Sequence, residues 1–313
     1  MTNKGVKSIT EKITRVFFNV MFCAARGFSP TAIAIISRIL STFTYHFARK
    51  QRRVALNNIK FALNKNTKDA KNLLKKNLNI VFQDALELLH YYHLSPEAQR
   101  KLYRISNKAI IDRTLSYKQG LIAVTAHLGK FPFICRALYL EGYHASFVIR
   151  NLRDKKLGAV ILDMAEYCNV RLIWAYPRKV CVRKCLEVLE KNEILILLLD
   201  QNFGSGGVFV SFFNRAAATA TGPVVLAKRT GAKIVPMFIN RDDFGVQEII
   251  IEDIYKLLPS DDPEEFIKQN IQQLTKIIEN YVKKYPLNWN WIHNRWKARP
   301  PLPVNRQGMT NDK

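Results

Sequence analysis

From Leu121 onward the chain repeats one unit: a short apolar run, a polar turn, then a stretch with apolar residues at helical spacing. The runs occupy 121–125, 145–149, 171–174, 194–199, 233–239 and 247–251, with helical stretches near 132–141, 155–168, 179–191 and 221–230 between most of them. Runs of this length read as strands, and strands alternating with helices place those helices on both faces of a sheet. The expected class is therefore α/β: a mixed, mainly parallel sheet flanked by helices. Open sheets of this class keep their chemistry at the carboxyl ends of the strands. The polar residues that close each run are the ones to examine.

Ala126-His127-Leu128-Gly129-Lys130-Phe131-Pro132 closes the first run. Gly129 lets the backbone approach a ligand closely, and Pro132 fits the first turn of the following helix. A single histidine at a strand end is equally the pattern of a satisfied structural imidazole. Asp200 ends the most hydrophobic run and opens the glycine-rich stretch Gln201-Asn202-Phe203-Gly204-Ser205-Gly206-Gly207, so it falls on the same edge as His127 and is the best carboxylate available to it. That stretch lacks the GxxxxGK[ST] pattern, which argues against a nucleotide P-loop. Arg150 and Arg153 close the run 145–149, a place to hold a phosphate or simply to be solvated. Thr219-Ala220-Thr221-Gly222-Pro223 enters a helix whose N-terminus can face an anion.

Residues 1–60 carry eleven Lys or Arg and one acid, Glu11, interleaved with Val16, Phe17, Phe18, Ile35, Ile36, Ile39, Phe43 and Phe47. Arg15, Arg26 and Arg38 interrupt the segment before any run of about 20 apolar residues appears, the length a spanning helix needs. Two amphipathic helices, broken near Gly27-Phe28-Ser29-Pro30, fit the pattern, lying either in a membrane interface or against the core. Helical periodicity then continues from Ala55 to Tyr92 and packs against the domain that follows. The expected organisation is 1–50 as membrane-associating helices, 51–303 as the α/β domain and 304–313 as a disordered polar tail.

With 48% hydrophobic residues in 313, the chain can bury a large core. The formal charge of +24, from 49 Lys+Arg against 25 Asp+Glu, implies an anionic partner without choosing among nucleic acid, phospholipid and acidic protein. Five irregularly spaced cysteines argue against a secreted disulfide framework. Cys181 and Cys185 lie a helical turn apart with no completing ligand, so zinc is not expected. Asp262-Pro263-Glu264-Glu265 opens an amphipathic helix that Tyr285-Pro286 ends. Beyond it, Trp289-Asn290-Trp291-Ile292-His293-Asn294-Arg295-Trp296-Lys297 gathers three of the four tryptophans beside basic residues. No nucleic-acid-binding signature accompanies the charge, and no nucleic acid partner is expected.

Taken in order, these pieces resemble the bacterial lipid A late acyltransferases, the lauroyl and myristoyl transferases related to lysophospholipid acyltransferases. The matching pieces are Arg52-Arg53 with Asn57, Ala126-His127-Leu128-Gly129, Arg150, Asp200-Gln201, 208–213, 218–223, Thr230-Gly231-Ala232 with Val235-Pro236, and 291–300, covering roughly residues 50 to 300. The resemblance implies an enzyme at the cytoplasmic face of the bacterial inner membrane. It would move a fatty acyl chain from acyl carrier protein, or coenzyme A, to a hydroxyl of a lipid A precursor or similar phosphoglycolipid. No cofactor is implied beyond that acyl donor. His127 would be the general base with Asp200 beside it. Lys130, Arg150, Arg153, Gln201, Thr219, Thr221, His293 and Arg295 would bind substrate. The family carries Asp or Glu five positions after the histidine, where this chain has Pro132, and an arginine near the position of Ala165. A catalytically silent lipid-binding homologue and a lysophospholipid acyltransferase are the alternatives these departures leave open.

Overall fold

In the computed structural model, residues 20, 22–151, 155–242 and 245–300 are described. The break expected near Ser29-Pro30 is there, as a helix start. Ser29 accepts a hydrogen bond from the Ala32 N–H at 3.1 Å and Pro30 takes the first helical position, opening α1 (Pro30–Phe47). Helix α2 (Arg49–Ala62) takes up Arg49-Lys50-Gln51-Arg52-Arg53 as its first turns. The periodicity read as continuous from Ala55 to Tyr92 is divided: Asn64 adopts φ of 49°, and Asn66 caps α3 (Thr67–Tyr91) by accepting from the Asp69 N–H at 2.9 Å. Asparagine tolerates the left-handed region and caps helices, so two asparagines suffice to break a run that its apolar spacing would continue.

The rest of the chain runs α4 (Pro96–Arg100), β1 (Tyr103–Ser106), α5 (Ala109–Leu115), β2 (Leu121–Thr125), α6 (Phe133–Leu140), β3 (Ala145–Ile149), α7 (Lys155–Tyr167), β4 (Arg171–Trp174), α8 (Arg178–Glu190), β5 (Ile194–Leu198), β6 (Val208–Phe212), β7 (Arg215–Thr219), α9 (Gly222–Thr230), β8 (Lys233–Arg241), β9 (Gln247–Ile251) and α10 (Pro263–Lys284). Seven strands form one sheet in the order β1-β9-β8-β2-β5-β3-β4. All neighbouring pairs are parallel except β8 with β9. The sheet is thus mixed and mainly parallel, as the alternating pattern requires. Strand β1 and the antiparallel β6–β7 hairpin were not legible as strands. The hairpin turns at Phe213 and Asn214, both at positive φ, with no glycine to signal it. It is held instead from outside, by the Phe213 N–H donating to Glu279 of α10 at 2.7 Å.

Strand β2 is buried along its whole length. Its period of two sends Ile122 and Val124 into one core with Ile59, Leu74 and Leu274, and Leu121 and Ala123 into another with Phe133, Ile134 and Leu138. Each fully buried large aliphatic side chain contributes about 1.5–3 kcal/mol. The central strand is therefore fixed from both faces, and so is the turn that leaves it.

The tryptophan-rich segment is part of the core. Trp289 and Trp291 are 1% and 0% exposed. Buried asparagines clamp the segment: Asn77 of α3 donates to the carbonyls of Leu287 and Trp289 at 2.7 and 2.9 Å, and Asn58 of α2 to those of Trp291 and His293 at 2.9 and 3.0 Å. The neighbouring Asn57, singled out by resemblance, is exposed. At the other end of the chain α1 packs Ile33, Ser37 and Ser41 inward and leaves Ile35, Ile39, Phe43 and Phe47 between 56% and 70% exposed. No helix among the described residues is long and apolar enough to cross a membrane.

Candidate active site

Strands β2 and β5 pair in parallel with Thr125 opposite Leu198, and the ladder runs one bond further, from the Leu199 N–H to the Thr125 carbonyl at 3.1 Å. His127 and Asp200 each lie two residues beyond that matched pair, so register alone brings them out side by side at the carboxyl edge. The contact is direct: His127 Nδ1 lies 2.8 Å from Asp200 Oδ1. Asp200 Oδ2 accepts from the His127 backbone N–H at 3.0 Å and from the Trp289 indole N–H at 2.8 Å. Burial alone would raise the Asp200 carboxyl, but the neighbouring imidazole and the three hydrogen bonds reaching it hold it below its ordinary value. It is an ionised acceptor, so Nδ1 carries the imidazole proton and Nε2 presents the lone pair.

The Phe131 ring packs against the imidazole at 4.8 Å, edge to face. The imidazole opens on a largely apolar cleft of about 240 Å³ between α3, the 129–132 turn and the 288–292 segment, with Val81, Leu88, Phe131, Pro132 and Ile292 among its walls. The turn is held from behind. Gly129, at φ of 54°, donates its N–H to the Asn288 carbonyl at 2.9 Å, and an added Cβ there would lie 3.0 Å from the Ile239 carbonyl oxygen. The close approach that Gly129 permits, on the turn that lines the cleft, is to the protein's own backbone at Ile239.

The expected substrate-binding residues divide. Arg150 is exposed at the rim, its guanidinium 3.3 Å from the Asn202 carbonyl, and Thr221 is half-buried before α9. Arg153 lies outside the described residues. Gln201 reaches the imidazole itself, with its side-chain Nε2 2.9 Å from His127 Nε2. Three others do not face the cleft as phosphate ligands. Lys130 has a fully buried side chain, with its ammonium 3.0 Å from Asp84 and 2.7 Å from Glu87 of α3. Arg295 is buried, donating to the Gln201 and Ala218 carbonyls and to the Thr219 hydroxyl, so Thr219 is buried with it. Lys130 thus ties the turn after His127 to the acids of α3, and Arg295 holds the backbone of Gln201 and Ala218, because a buried cation has to find its partners inside the protein. His293 accepts the Asn202 N–H at 3.1 Å, and burial pushes its imidazole down to about 4, leaving it neutral and able to accept.

Sequence reading missed Trp289 as the indole that bonds Asp200, and missed Asp84, Glu87, Asn58 and Asn77. Their signal was polar residues on otherwise apolar helix faces. Pro132 flanks α6 and lines the cleft, so the position where an acid was looked for carries none. Ala165 stands in the last turn of α7. Among the described residues no cluster of His, Cys, Asp and Glu is placed to hold a metal ion.

An imidazole oriented by a buried carboxylate at the edge of an apolar cleft is the arrangement by which proteins withdraw a proton from a hydroxyl. The chain belongs to the bacterial lipid A biosynthesis acyltransferase family, whose model matches residues 6–298. It is similar to the lipid A biosynthesis palmitoleoyltransferase of Escherichia coli (strain K12), 29% identical over 122 residues that span 38% of each chain. It is also similar to the lauroyltransferase of the same strain, 32% identical over 119 residues and 37% of each chain. A phosphatidylinositol mannoside acyltransferase of Mycobacterium tuberculosis (strain CDC 1551 / Oshkosh) is 22% identical over 220 residues, 66% of each chain. The match to the E. coli palmitoleoyltransferase thus spans well under half of that protein's length. Among solved structures, the 1-acyl-sn-glycerophosphate acyltransferase of Thermotoga maritima aligns over 82% of this chain and 99% of its own, at 12% identity and a TM-score of 0.38.

Proposed function

We propose that the protein is an O-acyltransferase. It moves a fatty acyl chain from a thioester donor, acyl carrier protein or coenzyme A, to a hydroxyl of a lipid A precursor or similar phosphoglycolipid. The observation that carries this reading is the Asp200–His127 pair, 2.8 Å apart and opening on an apolar cleft. Membership of the lipid A family, and relatives named for acylating lipid A and phosphatidylinositol mannoside, support a glycolipid acceptor.

In this reading His127 Nε2 takes the proton of the acceptor hydroxyl as its oxygen attacks the thioester carbonyl. The C–S bond then breaks, and the imidazolium returns the proton to the leaving thiolate. Asp200 fixes the tautomer and stabilises the imidazolium, the part that an acid at position 132 would otherwise play. Positioned base catalysis of this kind contributes roughly 10²–10⁴-fold. Arg150, exposed at the rim, is the phosphate contact. The apolar stripe of α1 rests on the cytoplasmic face of the inner membrane, where the acceptor lipid resides. Membranes carrying the protein are expected to transfer labelled acyl groups from acyl carrier protein onto a phosphorylated glycolipid. His127→Ala is expected to abolish that transfer while the protein keeps its fold by circular dichroism, at a cost of about 1–3 kcal/mol in urea unfolding because buried Asp200 loses a partner, and a fully active His127→Ala variant would refute the assignment.

A further inference from the structure

In this structure the nitrogen that would act as base is already occupied. Asp200 accepts the proton on Nδ1, so the bond at His127 Nε2 is donated by the Gln201 side-chain amide, 2.9 Å away. That amide stands where an incoming hydroxyl must sit. The backbone of Gln201 is anchored, its carbonyl bonded to the buried Arg295 at 3.0 Å, while its side chain is only half-buried. The side chain can therefore leave the imidazole by torsional rotation without disturbing Asp200 or the strap that holds it.

We propose that Gln201 is a removable cap on the base, which keeps water from being activated until an acceptor displaces it. The inference rests on the acyltransferase reading for its consequence but not for its geometry. An uncapped Nε2 beside a bound thioester would take a proton from water. The water oxygen would then add to the carbonyl, the C–S bond would break, and the thiolate would recover the proton, releasing free fatty acid and discarding the donor. An alcohol held by the rest of its molecule in the cleft has binding energy with which to displace the amide, whereas a single water has little. A hydrogen bond of ordinary net strength, about 1 kcal/mol, corresponds to a protection of about 5-fold.

Two measurements test this on the full-length protein. The first is independent of the acyl reaction: diethyl pyrocarbonate modification of each histidine, followed by peptide mass spectrometry, with exposed His144 as internal reference. Gln201→Ala is expected to speed modification of His127 about 5-fold relative to His144, and equal rates in the two proteins would overturn the cap. The second is release of free fatty acid from acyl carrier protein thioester with no acceptor present. It is expected to rise by a similar factor in Gln201→Ala and to return to background in the His127→Ala/Gln201→Ala double variant. Hydrolysis unchanged by Gln201→Ala, or surviving loss of His127, would overturn the proposed protection. Faster modification in a protein that neither hydrolyses nor transfers acyl groups would uphold the cap and reject the acyltransferase reading.

Discussion

Both oxygens of Asp200 are committed to three converging donors: the His127 ring, the His127 backbone and the Trp289 indole. Asparagine has one acceptor oxygen and would turn an NH₂ group toward a donor. Asp200→Asn is therefore expected to disrupt the imidazole tautomer and lower kcat of acyl transfer by about 10³–10⁴-fold, measured with a saturating acyl donor. Trp289→Phe removes only the indole N–H and is expected to cost about 1–3 kcal/mol in urea unfolding, because it leaves a buried carboxylate oxygen short of a partner. His293 sets a pH dependence. Its imidazole, at about 4 against an ordinary 6.5, stays neutral in the fold while the unfolded chain takes up a proton. Its contribution to stability is whole above pH 6.5 and is lost progressively as pH falls toward 4. His293→Gln, which keeps an acceptor for the Asn202 N–H but does not titrate, is expected to flatten the urea midpoint across that range; an unchanged slope would show that other groups set it. At this scale the sequence was informative where strand ends decide position: the ends of the two runs were enough to put Asp200 on the same edge as His127. It was silent on Trp289, because an indole 89 residues away carries no local mark of its partner.

At the scale of elements, α3 supports the His127 turn through a buried group of four charges. Asp84 and Glu87 receive Lys130 from the turn and Arg241 from the end of β8. Burial alone would raise the Glu87 carboxyl, but Lys130 and Arg241 hold it below its ordinary value. Lys130→Met preserves volume and removes the innermost cation, leaving two acids to share one arginine. The expected loss is about 3 kcal/mol, the scale for breaking a buried ion pair, read from urea unfolding. Acyl transfer by the variant should fall with it, since the turn that presents His127 loses its tie to α3. A lysine three residues after a strand-end histidine looks like a phosphate ligand, because its acidic partners stand more than forty positions earlier on a helix. The β6–β7 hairpin was illegible for a related reason: positive φ at Phe213 and Asn214 is imposed by α10 and not by a glycine at the turn. What the chain advertised was what local spacing determines, namely the parallel strands, the break near Ser29-Pro30, the Asp262 cap and the helix between Pro263 and Lys284.

For the molecule as a whole, charge and apolar exposure act together on one substrate geometry. In the proposed reading the acceptor lipid lies in a bilayer and the protein has to reach its surface; α1 presents Ile35, Ile39, Phe43 and Phe47 at i, i+4 spacing while its opposite face packs on α3. Phe43 and Phe47 stack at 4.5 Å and form the most exposed end of the stripe with Arg38 nearby, which suits an interface where rings enter the acyl boundary and cations meet phosphates. The net charge of +24 adds attraction to anionic lipid that salt screens within about 8 Å at physiological ionic strength. The two contributions separate experimentally. Phe43→Ser/Phe47→Ser is expected to weaken binding to phosphatidylglycerol-containing vesicles by about 10-fold or more, since each ring buried in lipid is worth roughly 1.5–3 kcal/mol. The urea midpoint should not move, because neither ring is in the core. Raising salt should weaken wild type and variant by the same factor, because the substitutions leave every charge in place. Binding that survives loss of both rings and disappears with salt would make the attachment purely electrostatic and remove α1 from it.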